Sequence, residues 1–254
     1  MNSADAIIQF RDVSYSLPNG RVILQNLTLE ARHGEILVLL GRSGSGKTTA
    51  LKLVNRLQEL SAGEIRVNAQ PVGEWDVIKL RRHIGYAIQE VGLFPHFTIE
   101  RNIGLVPTLE NWPKERIGKR VEDLLRLVGL NPDIASRYPH QLSGGQRQRV
   151  GVARALAADP PILLMDEPFG ALDPLTRSDL QREFLSLQQK LQKTVMFVTH
   201  DLHEAILLGT RIALLEEGRL VAINNPGEFL KSPEPLIAKY VQAFGSFESM
   251  RGTR

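Results

Sequence analysis

The sequence predicts an α/β fold built on a mostly parallel β-sheet. Three observations point to it. Short apolar runs recur along the 254-residue chain, helical patterns lie between several of them, and a glycine-rich segment directly follows one run. Alternating strands and helices are typical of parallel sheets, because each crossover needs a helix-length connection. The length fits one large α/β domain or a domain with an inserted subdomain.

The predicted buried strands are continuous, β-rich apolar runs. They occupy residues 7–10, 36–40, 84–88, 162–165, 195–199 and 212–215. A helix is predicted after Pro174, where Leu180, Phe184, Leu187 and Leu191 recur at helical spacing. Residues 226–244 favour two short helices that close the domain.

Residues 90–140 interrupt this alternation. The segment carries Pro95, Pro107, Pro113, Pro132 and Pro139 around one good helical pattern at residues 114–128. Because proline ends helices and cannot donate within a sheet, we interpret this segment as an inserted helical subdomain. The single domain is predicted to span residues 1–245, and a polar tail follows at residues 246–254.

Composition excludes several classes of site. The 31 Lys+Arg and 28 Asp+Glu residues give a net charge of only +3, which does not demand a nucleic-acid partner. Without cysteine, disulfides and thiolate metal sites are impossible. No signal peptide is recognised at the N-terminus, and the apolar runs fall far short of the ~20 residues that cross a bilayer. We therefore expect any membrane link to come through a partner.

The glycine-rich segment after residues 36–40 matches a phosphate-binding P-loop. It consists of Gly41, Arg42, Ser43, Gly44, Ser45, Gly46, Lys47 and Thr48, with a helix predicted at residues 49–60. Its backbone N–H groups can surround phosphates, and the following helix adds its positive dipole end. We expect Lys47 to reach the β- and γ-phosphates and Thr48 to ligate Mg²⁺, with Thr49 beside it in the nucleotide site.

Two carboxylates end the predicted strand at residues 162–165. Asp166 and Glu167 would lie at the carboxyl edge of the sheet, where open α/β sheets bind ligands. We expect Asp166 to hold Mg²⁺, directly or through water, and Glu167 to accept a proton from the water that attacks the γ-phosphate. Together with the P-loop, these residues predict nucleoside triphosphate hydrolysis.

A third motif precedes a helix that is predicted to run to about residue 158. It consists of Leu142, Ser143, Gly144, Gly145 and Gln146, which would form a second anion-binding helix start. This signature, with Gln89 upstream and with Asp166, Glu167 and His200 downstream, resembles the ATP-binding cassette (ABC) family in order and spacing over essentially the whole chain.

The resemblance implies a P-loop NTPase core with an N-terminal antiparallel β region, and ATP and Mg²⁺ as ligands. It implies a dimer, of two copies or of this chain with a similar ATPase subunit, in which each P-loop meets the partner's signature. Four further roles follow: Tyr15 against adenine, Gln89 sensing Mg²⁺ and the attacking water, Asp173 at the dimer interface and His200 at the γ-phosphate. The residues alone also allow a core role for Tyr15 and an N-cap role for Asp173.

Residues 90–98 resemble the importer branch, in which this segment meets the coupling helix of a membrane subunit. Residues 102–112 and 151–160 most resemble ATPases for glycine betaine, choline, carnitine and related osmoprotectants. The resemblance thus implies permease subunits as partners, a substrate-binding protein indirectly, and a peripheral place on the cytoplasmic face of the membrane. Several such relatives continue into CBS domains, whereas the recognised cassette ends near Phe244, so regulation of that kind is not expected.

Other readings stay open at this point. Importers of polyamines, sulfonates, phosphonates or oxyanions share the same motifs. Soluble ABC proteins of DNA repair or translation usually join two cassettes or insert a long coiled coil, and neither feature is found here. A regulatory module without hydrolysis would lack Glu167 or His200, and both are present.

Overall fold

The computed structural model describes residues 6–89, 91–170 and 172–251. In chain order the strands are β1 (Ala6–Ser16), β2 (Val22–Arg32), β3 (Ile36–Leu40), β4 (Ala62–Val67), β5 (Gln70–Pro71), β6 (Ile84–Ala87), β7 (Ile162–Asp166), β8 (Thr194–Thr199), β9 (Arg211–Glu216) and β10 (Arg219–Asn224). The helices are α1 (Lys47–Val54), α2 (Val77–His83), α3 (Ile99–Ile103), α4 (Leu105–Leu109), α5 (Lys114–Leu127), α6 (Gly144–Leu156), α7 (Pro174–Leu191), α8 (Leu202–Leu208), α9 (Pro226–Leu230) and α10 (Pro235–Arg251).

The chain divides into two compact units. One contains the described residues up to 75 and from 194 onward, and the other contains residues 76–193. The predicted helical insertion at residues 90–140 lies within the second unit.

The first unit holds two groups of strands. An antiparallel sheet has the order β2-β1-β4-β5, and the strands β10-β9-β3-β8 form a mixed group in which β3 runs parallel to both of its neighbours. Every residue of β3 is buried, as expected for a parallel strand covered on both faces. Because Leu40 pairs with Thr199, the ends of β3 and β8 meet at one edge. That edge carries the glycine-rich loop and His200.

The second unit is built around the parallel pair β6 and β7. Ala87 lies opposite Met165, so the carboxyl ends of these strands also share an edge. Gln89 follows β6 there, and Asp166 and Glu167 end β7. Each unit therefore brings two of the predicted site elements to a single strand edge, as parallel pairing requires.

The predicted α/β class, the parallel pairing and the N-terminal antiparallel region are confirmed. The helix predicted at residues 49–60 is shorter, because α1 ends at Val54 and Arg56 takes a left-handed φ of 53°. Strand β6 ends at Ala87, one residue before the predicted end. Among the described residues, none of the helices is both long enough and apolar enough to cross a membrane.

Candidate functional site

The loop between β3 and α1 has the form of a phosphate cradle. Gly46 takes a φ of 97°, a left-handed conformation that glycine adopts without steric cost, and it directly precedes α1. The Lys47 ammonium is buried and donates hydrogen bonds to the carbonyl oxygens of Gly41 at 2.8 Å and Arg42 at 2.7 Å. Its charge is thus held inside the loop. The Ser45 hydroxyl is buried without a hydrogen-bond partner among the described residues. Because buried polar groups are normally hydrogen-bonded, this hydroxyl is suited to bind an anionic ligand.

Thr48 and Thr49 form the first turn of α1, and both are half-buried. Thr48, the predicted metal ligand, therefore directly follows the buried Lys47 at the start of α1. Tyr15 lies in the same unit, half-buried on β1 opposite Leu24. Its predicted contact with adenine stays a prediction.

A hydrogen-bond network fixes the turn that presents His200. The Thr199 hydroxyl donates to the Glu204 carboxylate at 2.5 Å and accepts a hydrogen bond from the Asp201 backbone N–H at 3.0 Å. Asp201 in turn caps α8 by accepting from the N–H of His203 at 2.7 Å. His200 itself is exposed at the edge of its unit. Sequence reasoning found His200 and missed Thr199 and Glu204, because their pairing is made only by the fold.

In the second unit, Asp166 is buried, with 4% of its surface exposed. The Tyr86 hydroxyl donates a hydrogen bond to its carboxylate. Burial, followed by the negative charge and the hydrogen bond of Asp166, raises the pKa of Tyr86 well above its usual range. Sequence reasoning did not select Tyr86, because only the pairing of β6 with β7 brings it close to Asp166.

Glu167 has an unusual backbone conformation. Its φ is 44°, which is uncommon and costly for a residue with a side chain. The Gly170 N–H donates to the Glu167 carbonyl at 3.1 Å and closes the turn that follows β7. Such strain is concentrated at functional sites, where the surrounding structure holds a reactive side chain in one orientation.

The serine-glycine signature begins α6. Ser143 and Gln146 form a capping box: the Gln146 N–H donates to the Ser143 hydroxyl at 3.2 Å, and the Ser143 N–H donates to the Gln146 side-chain oxygen at 3.0 Å. Ser143 and Gly144 are exposed. A Cβ at Gly145 would meet the Leu172 side chain at 3.4 Å, so the signature packs beside the loop that precedes α7. Asp173 caps α7 by accepting from the Thr176 N–H at 3.1 Å, which confirms the N-cap alternative.

A cavity of about 240 Å³ opens in the second unit. Tyr86 and Phe94 line it together with Leu105 and Ala155, and Arg81 and Arg154 add positive charge. Phe94 is 41% exposed and packs on Phe97, with ring centroids 5.2 Å apart. An apolar cavity with an exposed aromatic residue and basic groups is suited to a protein partner.

The predicted metal ligands are compatible with Mg²⁺. The described residues contain no cluster of three or more His, Cys, Asp or Glu side chains that could hold a metal by itself. Magnesium needs no such cluster when it is bound with nucleotide, because phosphates and waters complete its shell. Thr48, Gln89 and Asp166 offer a hydroxyl, an amide oxygen and a carboxylate, the oxygen donors that this ion prefers.

Comparison with known proteins agrees with these motifs. The family profile described as "ABC transporter" matches residues 24–170. The chain is 49% identical over 227 residues to the choline transport ATP-binding protein OpuBA of Bacillus subtilis, covering 89% of this chain and 60% of that protein. It is 52% identical over 211 residues to the osmoprotectant import ATP-binding protein OsmV of Salmonella typhimurium, covering 83% of this chain and 55% of that protein. The chain therefore spans less than two thirds of the length of these relatives.

Solved structures show the same fold. A dimeric structure of the ATP-binding cassette MJ0796, in a post-hydrolysis state bound to ADP and Pi, superimposes with a TM-score of 0.80 at 33% identity, covering 86% of this chain and 98% of that one. CbiO1 from Clostridium perfringens, part of the transporter complex cbiONQ, gives a TM-score of 0.82 at 26% identity, covering 96% of this chain and 99% of that one.

Proposed function

Because this chain belongs to the ABC transporter family, we propose that it is the ATP-binding and ATP-hydrolysing subunit of an importer for a small osmoprotectant. Glycine betaine, choline and carnitine are the solutes we favour. The observation that carries the proposal is the loop between β3 and α1, where the buried Lys47 ammonium lies among the carbonyls of Gly41 and Arg42. A bound phosphate chain offers this ammonium stronger, charged acceptors.

In the proposed reaction, each of the predicted residues has a separate role. The P-loop, from Gly41 to Thr48, binds the phosphates, and Tyr15 contacts the base. Mg²⁺, when bound with the nucleotide, neutralises charge on the β- and γ-phosphates and would be held by Thr48, Asp166 and Gln89. Glu167 accepts the proton of the attacking water.

Two copies are proposed to share each ATP. Ser143, Gly144, Gly145 and Gln146 of one copy would bind the γ-phosphate held by the P-loop of the other. The position of Gly144 and Gly145 in the first turn of α6 and the exposed Ser143 hydroxyl support this role. Asp173 and His200 would complete the shared site. The dimeric cassette to which this chain is similar also supports it.

Permease subunits are proposed to dock at the 240 Å³ cavity lined by Tyr86 and Phe94. A short amphipathic helix would place apolar side chains against Phe94 and Leu105, and its carboxylates or carbonyls near Arg81. This interaction would hold the chain on the cytoplasmic face of the membrane and connect it, through the permease, to a substrate-binding protein.

The test is co-purification from membranes followed by measurement of solute-stimulated ATP hydrolysis. We expect the chain to bring permease subunits with it, and glycine betaine, choline or carnitine to stimulate hydrolysis when the binding protein is present. Stimulation by a polyamine, sulfonate, phosphonate or oxyanion instead would overturn the choice of solute. Recovery without any membrane subunit would overturn the transport role.

Glu167→Gln tests the catalytic assignment separately. The amide keeps the size of the side chain and removes the base, so hydrolysis should fall by about 100-fold or more while ATP binding persists. An ATP-dependent dimer should then accumulate, detected by light scattering. Wild-type hydrolysis in this variant would contradict the assignment.

A further inference from the structure

Arg154 lies on α6, about three helical turns after Ser143. Its guanidinium donates two hydrogen bonds out of the helix, to the Val91 carbonyl at 2.6 Å and to the Gly92 carbonyl at 2.8 Å. These carbonyls belong to the segment that follows Gln89. Burial lowers the pKa of Arg154, yet arginine stays charged at neutral pH, so both bonds are charge-assisted.

The same segment touches α6 at a second point. A Cβ placed on Gly151 would come within 2.6 Å of the Val91 Cγ1 atom, so this close approach requires glycine. Strand β6, which leads to Gln89, is equally close: a Cβ on Gly85 would come within 2.2 Å of the Ala155 carbonyl oxygen. Helix α6 therefore packs closely against the residues that precede Gln89 and against those that follow it.

We propose that Arg154 is a positioning residue that fixes the backbone carrying Gln89 to the helix that begins at Ser143. The inference rests on the proposed function, in which Gln89 and Ser143 both act on ATP. A shift of the Gln89 segment, from either the nucleotide or the docked permease, then moves α6 and its signature with it. Arg154 reaches the chemistry only through Gln89, whose backbone segment it holds.

Lysine cannot replace arginine in this role. A guanidinium presents N–H groups in a planar fork that serves two adjacent carbonyls at once, whereas an ammonium is a mobile point charge. Arg154→Lys therefore keeps the charge and removes the geometry. Since a misplacement of about 1 Å costs roughly 100-fold in rate, even partial loosening of the Gln89 segment should be measurable.

Arg149 provides a matched control on the same helix. Its guanidinium also donates to two consecutive carbonyls, of Val128 at 2.9 Å and Gly129 at 3.3 Å, but these end α5 and do not adjoin Gln89. Arg149→Lys thus removes the same kind of contact from α6. The two variants release different segments. Arg149 also forms an ion pair with Glu183 at 3.6 Å, and lysine keeps the charge for that pair.

The experiment measures kcat and KM for ATP, and the melting temperature, for the full chain carrying Arg154→Lys or Arg149→Lys, each with and without Gln89→Ala. We expect Arg154→Lys to lower kcat by about tenfold or more and to change KM by less than about twofold, because the P-loop is untouched. Arg149→Lys should leave kcat within about twofold of the parent. With Gln89→Ala present, Arg154→Lys should cause no further loss, because both changes act on one group.

Other outcomes overturn the proposal. Losses from Arg154→Lys and Gln89→Ala that multiply would show that Arg154 does not act through Gln89. Equal kcat losses in the two lysine variants would show that Arg154 only stabilises α6 and has no specific effect on Gln89. A parent chain that hydrolyses no ATP would overturn the proposed function and this inference with it, whereas an active parent with multiplying losses overturns the inference alone.

A second pair of variants covers the case in which Arg154→Lys does not fold. Gly151→Ala should push Val91 away from α6 and lower kcat, and Val91→Ala in the same chain should restore kcat to within about threefold of the parent by removing the collision. Failure of Val91→Ala to restore activity would contradict the contact on which the proposal stands.

Discussion

The Tyr86 hydroxyl donates a hydrogen bond to the carboxylate of Asp166. The two residues come from the neighbouring parallel strands β6 and β7, where Tyr86 lies opposite Leu164. Leu164 and Asp166 are two positions apart and share a face of the strand, which brings the carboxylate within reach of the tyrosine. Because Asp166 is buried, this bond helps to fix the carboxylate that is proposed to hold Mg²⁺.

Tyr86→Phe should weaken the response to Mg²⁺. The substitution keeps the ring that lines the cavity and removes only the hydroxyl. Loss of a group that orients a metal ligand typically costs 10- to 100-fold in metal affinity, so we expect the Mg²⁺ concentration for half-maximal hydrolysis to rise about tenfold. Magnesium titrations of ATP hydrolysis would measure the shift.

Tyr138→Phe is the control for this prediction, because Tyr138 is 41% exposed and lies outside the proposed metal site. It should leave the Mg²⁺ requirement within about twofold of the parent. An unchanged Mg²⁺ requirement in Tyr86→Phe would mean that the hydrogen bond to Asp166 does not support metal binding.

Ser143→Arg should prevent the ATP-dependent dimer while sparing ATP binding by the single chain. The arginine adds bulk where the partner's γ-phosphate is proposed to sit, and it also removes the hydroxyl that caps α6. We expect nucleotide affinity within about threefold of the parent, because the P-loop is intact. Dimer formation, in the Glu167→Gln background, would be followed by light scattering.

Asn225→Ala separates the two effects of that substitution. Asn225 forms a capping box with Glu228 at the start of α9, outside any proposed interface. Loss of this cap should lower the free energy of unfolding by about 1 kcal/mol and leave the ATP-dependent dimer intact. If Ser143→Arg abolished ATP binding and dimerisation together, the head-to-tail arrangement would be contradicted.

The motifs could be predicted from sequence because their chemistry is local. Gly46, Lys47 and Thr48 act within one loop and one helical turn, and Ser143 and Gln146 form a capping box that their spacing already allows. Parallel strands could be recognised as continuous apolar runs, since both faces are covered. These features therefore gave the fold class and the candidate residues.

Contacts between distant parts of the chain could not be predicted in this way. Nothing in the spacing of Tyr86 and Asp166, or of Arg154 and Val91, marks them as partners, because tertiary packing alone brings them together. The end of α1 was also missed, since the left-handed conformation of Arg56 overrides the helical propensity of the residues that follow. The supporting contacts of the site thus depend on the fold.

The ion pair between Glu35 and Arg211 should be a main support of the first unit. Glu35 accepts from Arg211 at 3.0 Å and 2.7 Å, and the two side chains are only 10% and 18% exposed. Glu35→Gln leaves a poorly solvated guanidinium without its charge partner, so we expect a loss of about 3 kcal/mol in the free energy of unfolding. Urea denaturation would measure it.

The exposed ion pair Glu122–Arg126 on α5 provides the control for that experiment. Its side chains are 54% and 62% exposed, so Glu122→Gln should cost less than about 0.5 kcal/mol. Glu35 lies immediately before β3, whereas the P-loop follows the other end of that strand. Its substitution should therefore not change the affinity for ATP at temperatures where the chain is folded. Equal costs for the two substitutions would contradict a special role for the buried pair.

His83, at the end of α2, should make the stability of the chain depend on pH. Burial lowers its pKa in the folded chain below the unfolded value of about 6.5. As pH falls below that value the unfolded chain binds a proton and the folded chain does not, so stability decreases until the folded pKa is passed. His83→Gln cannot take up this proton, and its melting temperature should therefore fall less between pH 7 and pH 5 than that of the parent. His33→Gln, at an exposed turn, is the control. An equal pH dependence of the melting temperature in the parent and in His83→Gln would show that the burial of His83 does not make stability depend on pH.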